Sequence, residues 1–268
     1  MNAIHGYTRT VMETARDVLT PKARAALLRA HEKTLSYGVR ALVSPAPALR
    51  LVIVLGEAHL KLGPASRLGK DVVENIALRG VETFQSKEVF SGKALRWLIY
   101  LPRIALRLVT LGLVKDSTIV DAKQASHGFT VEIERAKSMP TSLHVAATYM
   151  TVMFGMMFAQ LALGIANFVI PGIIALFGWL VFAVMVLQAH MALLIPALIL
   201  RRHKWSWLIH PLTAILTARD TLMADGTVRM LEDHPDAGPA LVILGRAHMP
   251  GYERELTERY GFRRVSFP

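Results

Sequence analysis

The stretch LVIVLGEAH at residues 51–59 has a counterpart of the same design near the end of the chain, ALVILGRAH at residues 240–248. Each begins with five apolar residues, which predict a buried strand, and each ends in Gly-x-x-His. A strand that ends in this motif delivers an imidazole to the rim of a sheet, and two such strands deliver two imidazoles to one place. We therefore expect an α/β domain whose site is built from both ends of the chain.

A long apolar run lies between the two motifs. No Asp, Glu, Lys or Arg occurs from Val145 to Leu200. Because one membrane span takes about 20 apolar residues, this run predicts two spanning helices, with the turn between them near Asn167, Pro171 and Gly172. An even number of spans also leaves both Gly-x-x-His motifs on the same side of a membrane.

Basic residues flank the apolar run, at Arg135 and Lys137 before it and at Arg201, Arg202 and Lys204 after it. Because such flanks stay in the cytoplasm, we expect a multi-pass protein of the inner (plasma) membrane with a cytoplasmic α/β domain. The net charge of +11 fits contact with anionic lipid of the bilayer. No nucleic-acid-binding motif accompanies it, so no nucleic-acid partner is expected. The absence of cysteine excludes disulfides and thiolate metal ligands.

The fold class predicted from these patterns is α/β, with a mainly parallel sheet and flanking helices interrupted by the transmembrane hairpin. Helices are expected over 8–43 (broken at Thr20-Pro21), 66–77, 211–230 and 253–260, and further strands over 79–84, 117–120 and 129–134. The expected divisions are a helical segment (1–46), the first half of the α/β domain (47–140), the hairpin (141–204) and the second half of the domain (205–268). A basic amphipathic helix over 93–114 fits either the lipid interface or ordinary packing.

Four residues are the leading candidates for metal chemistry. His59 and His248 end the two motifs, and neutral imidazole is a common ligand of divalent metals. Glu82 follows a predicted strand and could complete the ligand set, whereas Glu57 could ligate or act as a base. Two imidazoles and one carboxylate leave positions for a water molecule. The expected cofactor is therefore a divalent metal, either manganese, cobalt or zinc.

Further polar residues are expected near the same rim. Arg219 and Asp220 lie on the helix before the last strand, where an arginine could bind a substrate carboxylate or support the ligands. Glu134 ends a predicted strand, and Arg246 lies inside the second motif. Two other histidines are not assigned to this site. We expect His190, which lies inside the apolar run, to be neutral and packed, and His210 to lie at the membrane interface.

The order of these motifs resembles the TraB/PrgY/Tiki family. The likeness covers roughly 48–135 and 208–268: an apolar strand into Gly-x-x-His, a strand ending in Glu82, the segment Val131–Glu134, the helix with Arg219-Asp220, and a strand into Gly245-x-x-His248-x-x-Gly251. The resemblance implies a metal-dependent hydrolase-like fold related to the erythromycin-esterase type. It also implies that His59, Glu82 and His248 are metal-site residues and that Arg219 is in the active site. In this chain the apolar hairpin lies between the motif halves, whereas membrane segments in the family are often terminal.

Three function hypotheses follow. The first is a membrane-anchored, metal-dependent hydrolase, expected to be a peptidase with a peptide or protein substrate. The second is a non-catalytic membrane protein that binds or sequesters a peptide or protein partner. The third is a small transport or channel component. The sequence leaves a homo-oligomer open.

Overall fold

The structure is a computed structural model of the chain. It describes residues 19–32, 37–58, 61–62, 65–82, 108–109, 114–115, 118–134, 140–201, 203 and 205–265. Three expectations lie largely outside these ranges: the helix before Thr20 (8–18), the position of His59, and the amphipathic helix over 93–114. The chain divides into a first unit (1–85, 99–136 and 220–268) and a second unit (86–98 and 137–219).

The first unit is built on a mixed sheet, six-stranded over the described residues. Its strands are β1 (Tyr37–Val43), β2 (Leu51–Glu57), β4 (Leu78–Val81), β6 (Phe129–Glu132), β7 (Ala240–Gly245) and β8 (Arg263–Val265), in the order β6-β4-β7-β2-β1-β8. Two shorter strands, β3 (Lys61–Leu62) and β5 (Val114–Lys115), pair antiparallel in a separate small sheet.

The prediction of a mainly parallel sheet is wrong for this sheet as a whole. β2 and β4 both run parallel to β7, and β4 runs parallel to β6. At the other side, β1 pairs antiparallel with both β2 and β8. The reason is that 37–43, which the sequence predicted to be helical, is a strand that turns back directly into β2 and pairs with it along its whole length.

The central strands are buried along their full length. Every residue of β2 and of β7 is buried, which is why both read as unbroken apolar runs rather than as alternating patterns. One face of the sheet packs against α1 (Pro21–Glu32) and α2 (Ala65–Glu74), and the other against α8 (Ala214–Asp233) and α9 (Met249–Tyr260).

The helix boundaries follow recognisable signals. Thr20 caps α1 as expected, because its Oγ1 accepts a hydrogen bond from the Ala23 amide at 3.2 Å. The residue that caps the C-terminal end of α9 is Gly261, whose φ of 69° is in the left-handed region that favours glycine. The strand predicted over 117–120 is instead the start of a short helix, α3 (Thr118–Gln124).

The second unit contains α4 (Thr141–Val169), α5 (Ile173–Leu176), α6 (Gly178–Met191) and α7 (Leu194–Ile199), followed by 3-10 turns at Ser206–Leu208 and Pro211–Thr213. α8 begins in this unit and continues into the first one after Arg219. The turn of the hairpin is at the predicted place: Gly172 has a φ of 89°, and its amide donates to Asn167 Oδ1 at 3.0 Å.

Of the helices in the described part of the chain, two are long and apolar enough to cross a membrane, as the sequence predicted. They are Thr141–Val169 and the stretch Gly178–Ile199, which comprises α6 and α7. Their most apolar windows are 0% and 11% buried, respectively, inside the protein. The helices therefore differ from the apolar core helix of a soluble domain, because little of their apolar surface is covered by other parts of the chain.

Candidate functional site

The candidate site lies at one edge of the sheet in the first unit. Because β2, β4, β6 and β7 are parallel to one another, their carboxyl ends meet at this edge. Glu57 is the last residue of β2, Glu82 follows β4, and Glu134 follows β6 by two residues. β7 ends opposite Glu57 at Gly245 and continues into a 3-10 turn that ends at His248. The three glutamates and His248 are all buried.

His248 is held by a buried carboxylate. Its Nδ1 lies 2.7 Å from Asp220 Oδ1, and both side chains are buried. Because a carboxylate can only accept, Nδ1 carries the proton in the neutral ring and the lone pair is on Nε2. An acidic partner at Nδ1 is the usual support of a histidine that ligates a metal through Nε2. Asp220 therefore fixes the orientation of the ring and leaves the lone pair on Nε2.

A glycine three residues beyond His248 makes this pairing possible. A Cβ atom added at Gly251 would lie 1.7 Å from Asp220 Oδ2, far inside contact distance. Gly251 is in the first turn of α9, so the carboxylate approaches the helix terminus that favours negative charge. The pattern Gly-x-x-His-x-x-Gly thus has a physical reason here: its last glycine admits the carboxylate that orients its histidine.

Glu82 joins the ends of two strands. Its Oε2 accepts a hydrogen bond from the Gly245 amide at 2.6 Å, and its own amide donates to the Ile243 carbonyl at 3.0 Å. The carboxylate is therefore fixed against the backbone of the second Gly-x-x-His motif. This places it at the start of the turn that carries His248.

Glu57 has one satisfied oxygen and one that lacks a partner. Its Oε2 accepts from the Thr118 amide at the start of α3, at 2.9 Å. Its Oε1 is buried without a hydrogen-bond partner among the described residues. A buried carboxylate oxygen without a donor is unfavourable unless a proton or a cation meets it. A proton or a cation at Glu57 Oε1 would therefore stabilise this carboxylate.

The other candidates are placed as follows. Arg219 is buried on α8 and belongs to the second unit, one residue before Asp220. Arg246 is exposed within the 3-10 turn. Over the described part of the chain, which omits His59, no three His, Asp or Glu side chains form a group that could hold a metal ion. The predicted pairing of His59 with His248 stays a prediction.

Two contacts of the site were not foreseen in the sequence. Thr118 supplies the amide that binds Glu57, but its segment has the β-branched composition of a strand, so no signal pointed to a helix start. Gly251 belongs to the motif, yet its role depends on how closely α8 and α9 pack. Asp220, in contrast, was a sequence candidate, because it lies beside Arg219 on the helix before the last strand.

The second unit contains a separate group of rings that involves two histidines. Tyr149 Oη lies 2.9 Å from His190 Nδ1, and the ring of His190 stacks on that of His210. The sequence predicted neutral packing for His190, and the cluster contains no acidic residue among the described residues. It is therefore unlike the site around His248.

Comparison with known proteins finds no matching family model, no matching curated protein and no matching solved structure. The TraB/PrgY/Tiki resemblance consequently stays a prediction from motif order.

Proposed function

We propose that the chain is a membrane-anchored, metal-dependent hydrolase that acts on peptides. The observation that carries this proposal is the buried pair of Asp220 and His248. The pair lies at the edge of the sheet where β2 ends at Glu57 and where Glu82 follows β4. A histidine oriented by a carboxylate, next to further buried carboxylates, is the arrangement that metal-dependent hydrolases use.

The residues have separate roles in this proposal. His248 and Glu82 would hold the metal together with His59, and Asp220 keeps the His248 lone pair on Nε2. A divalent cation, when bound, supplies Lewis acidity that polarises a substrate carbonyl and acidifies water. Glu57 Oε1, buried and without a donor among the described residues, accepts a proton. Arg219 binds a substrate carboxylate.

The two apolar helices are the proposed anchor. They cross the membrane as a hairpin, so both ends return to the side where the basic flanks lie. Because the chain has no cysteine, single cysteines can test this topology. Phe168→Cys at the exposed hairpin end and Thr257→Cys on α9 are expected to react with an impermeant maleimide from opposite sides of membrane vesicles. Labelling of both from the same side would contradict the hairpin.

Metal content tests the site directly. Protein purified in detergent is loaded with manganese, cobalt or zinc, desalted and measured by elemental mass spectrometry. We expect near-stoichiometric metal in the wild type, and its loss in both His59→Ala and His248→Ala. His203→Ala, which removes an exposed histidine of the second unit, is the matched control and should retain the metal. A folded wild type without metal would favour the alternative of a non-catalytic peptide- or protein-binding membrane protein.

A second variant separates metal binding from chemistry. Glu57→Gln keeps an oxygen for the Thr118 amide but cannot take up a proton. We expect this variant to retain metal and to lose hydrolysis of a peptide library by at least about 100-fold. Unchanged turnover would remove Glu57 from the proposed role of base.

A further inference from the structure

Three rings form a compact cluster within the second unit. They belong to Tyr149 on α4, His190 on α6 and His210, which immediately precedes the turn Pro211–Thr213. The centroids of the two imidazoles are 4.8 Å apart with an interplanar angle of 18°, and Tyr149 meets His210 edge-on at 5.2 Å. His210 is completely buried, whereas Tyr149 and His190 are partly exposed.

The hydrogen bonds of His210 fix its tautomer. Its Nδ1 accepts from the Leu212 amide at 3.3 Å and so caps the turn. The proton of the neutral ring is therefore on Nε2, which is buried and has no partner among the described residues. A protonated Nε2 has no lone pair for a metal, so the cluster differs in kind from the site around His248.

Among the described residues, the elements packed against the turn of His210 contain no counter-ion. The elements packed against its turn are α4, α7 and Ser206–Leu208, whose titratable side chains are His144 and Tyr149, both on α4. The neighbouring α6 adds His190. Burial, and secondarily the nearby His190, lower the pKa of His210. A second proton on this ring would thus be a buried charge beside another imidazole.

We propose that these three rings form a proton-operated latch: neutral His210 holds residues 206–213 against α4 and α6, and protonation of His210 releases them. The second proton has to bind at Nδ1, because Nε2 already carries one. Protonated Nδ1 becomes a donor that faces the Leu212 amide, so the cap is lost at the same time as the charge is buried. One proton therefore removes both contacts that keep the ring in place.

The direction of the pH dependence follows from the lowered pKa. The released ring takes up a proton near the ordinary value for histidine, about 6.5, whereas the buried ring does so only at lower pH. The latched form is fully favoured above pH 6.5 and loses this advantage as the pH falls through the window below it. Residues 206–213 run directly into α8, so release also frees the first turn of that helix.

Hydrogen exchange measured by mass spectrometry on the full chain in detergent tests the proposal. Exchange of the peptide covering 206–213 is compared at pH 7.5 and 5.5, each corrected with the unfolded chain at the same pH. We expect wild-type protection to fall at the lower pH, by no more than about tenfold, which is the limit that one proton with an ordinary pKa near 6.5 sets at pH 5.5. His210→Asn should show no such fall, since asparagine can cap the turn from the same position but does not titrate.

Two further variants complete the design. His203→Asn removes an exposed histidine that stacks on Trp205 outside the cluster, and it should behave as the wild type. His190→Phe keeps a ring against His210 and gives a second test if His210→Asn does not fold; it should show a smaller fall. Undiminished pH dependence in His210→Asn or His190→Phe, or constant wild-type protection between the two pH values, would overturn the proposal.

Discussion

His248 and His210 are both buried, yet their partners fix opposite tautomers. His248 donates from Nδ1 to the Asp220 carboxylate, which puts its lone pair on Nε2. His210 accepts at Nδ1 from the Leu212 amide, which puts its proton on Nε2. The Nε2 atom is thereby an acceptor in His248 and a donor in His210, and His210 can take up a proton only by losing its cap.

The difference shows that the partner of Nδ1 decides what a buried histidine can do. A carboxylate compensates positive charge near the ring, so His248 can share its surroundings with a metal. A backbone amide and a second imidazole compensate none, and burial, with the nearby His190 second, lowers the pKa of His210. Burial alone does not separate the two rings.

Gly251→Ala should have the largest effect on the free energy of unfolding. The added Cβ would lie 1.7 Å from Asp220 Oδ2, so either the carboxylate or α9 has to move. We expect a loss of about 2–3 kcal/mol in the free energy of unfolding, measured by denaturant titration of the detergent-solubilised protein. Gly238→Ala is the matched control, because a Cβ there meets nothing within 4 Å. Equal stability of the two variants would mean that the Asp220–Gly251 approach is not required.

Asp220→Asn should affect the proposed metal ligand, His248, rather than the fold. The amide oxygen can still accept from His248 Nδ1, but the negative charge is gone. We expect a roughly 10- to 100-fold weaker affinity for the loaded metal, read from competition with a chelator. Asp236→Asn, at an exposed position, controls for the change in net charge. An unaltered affinity would show that Asp220 does not support a metal ligand.

The fold was predictable where local pattern and burial agree. The apolar runs that become β2 and β7 are buried on both faces, and an unbroken apolar run of that length is typical of a buried strand. β1 was mistaken for helix because Val39, Ala41 and Val43 alternate too briefly to outweigh the helical spacing before them. Its strand state comes from pairing with β2 along seven positions, which is a tertiary contact.

The same limit applies to the site. Glu57, Glu82 and His248 could be assigned to one edge because each follows a strand. The contact between Asp220 and Gly251 could not be predicted, since it depends on how α8 and α9 approach each other. The cluster around His210 was hidden for a similar reason: its three rings are separated along the chain, and only packing within the second unit brings them together.

His190→Phe should weaken the pH response of the second unit without abolishing it. Proximity to His190 contributes to the lowered pKa of His210, after the larger effect of burial. Without it, the pKa of His210 moves back toward its ordinary value, and the pH window in which stability is lost becomes narrower. Thermal unfolding between pH 7.5 and 5.5, followed by tryptophan fluorescence, should show a smaller decrease in melting temperature than in the wild type. A larger decrease would contradict this assignment.

Tyr149→Phe should have the smallest effect on stability. It distinguishes the contribution of the hydrogen bond from that of the ring packing. The substitution removes the contact of the phenolic oxygen with His190 Nδ1 at 2.9 Å, while an aromatic edge against His210 remains. The substitution removes one hydrogen bond and keeps the ring, so we expect a cost of about 1 kcal/mol. The pH dependence should stay at the wild-type level, because the second proton binds to His210 and not to Tyr149. Loss of the pH dependence in this variant would shift the proton-binding step to the Tyr149–His190 pair.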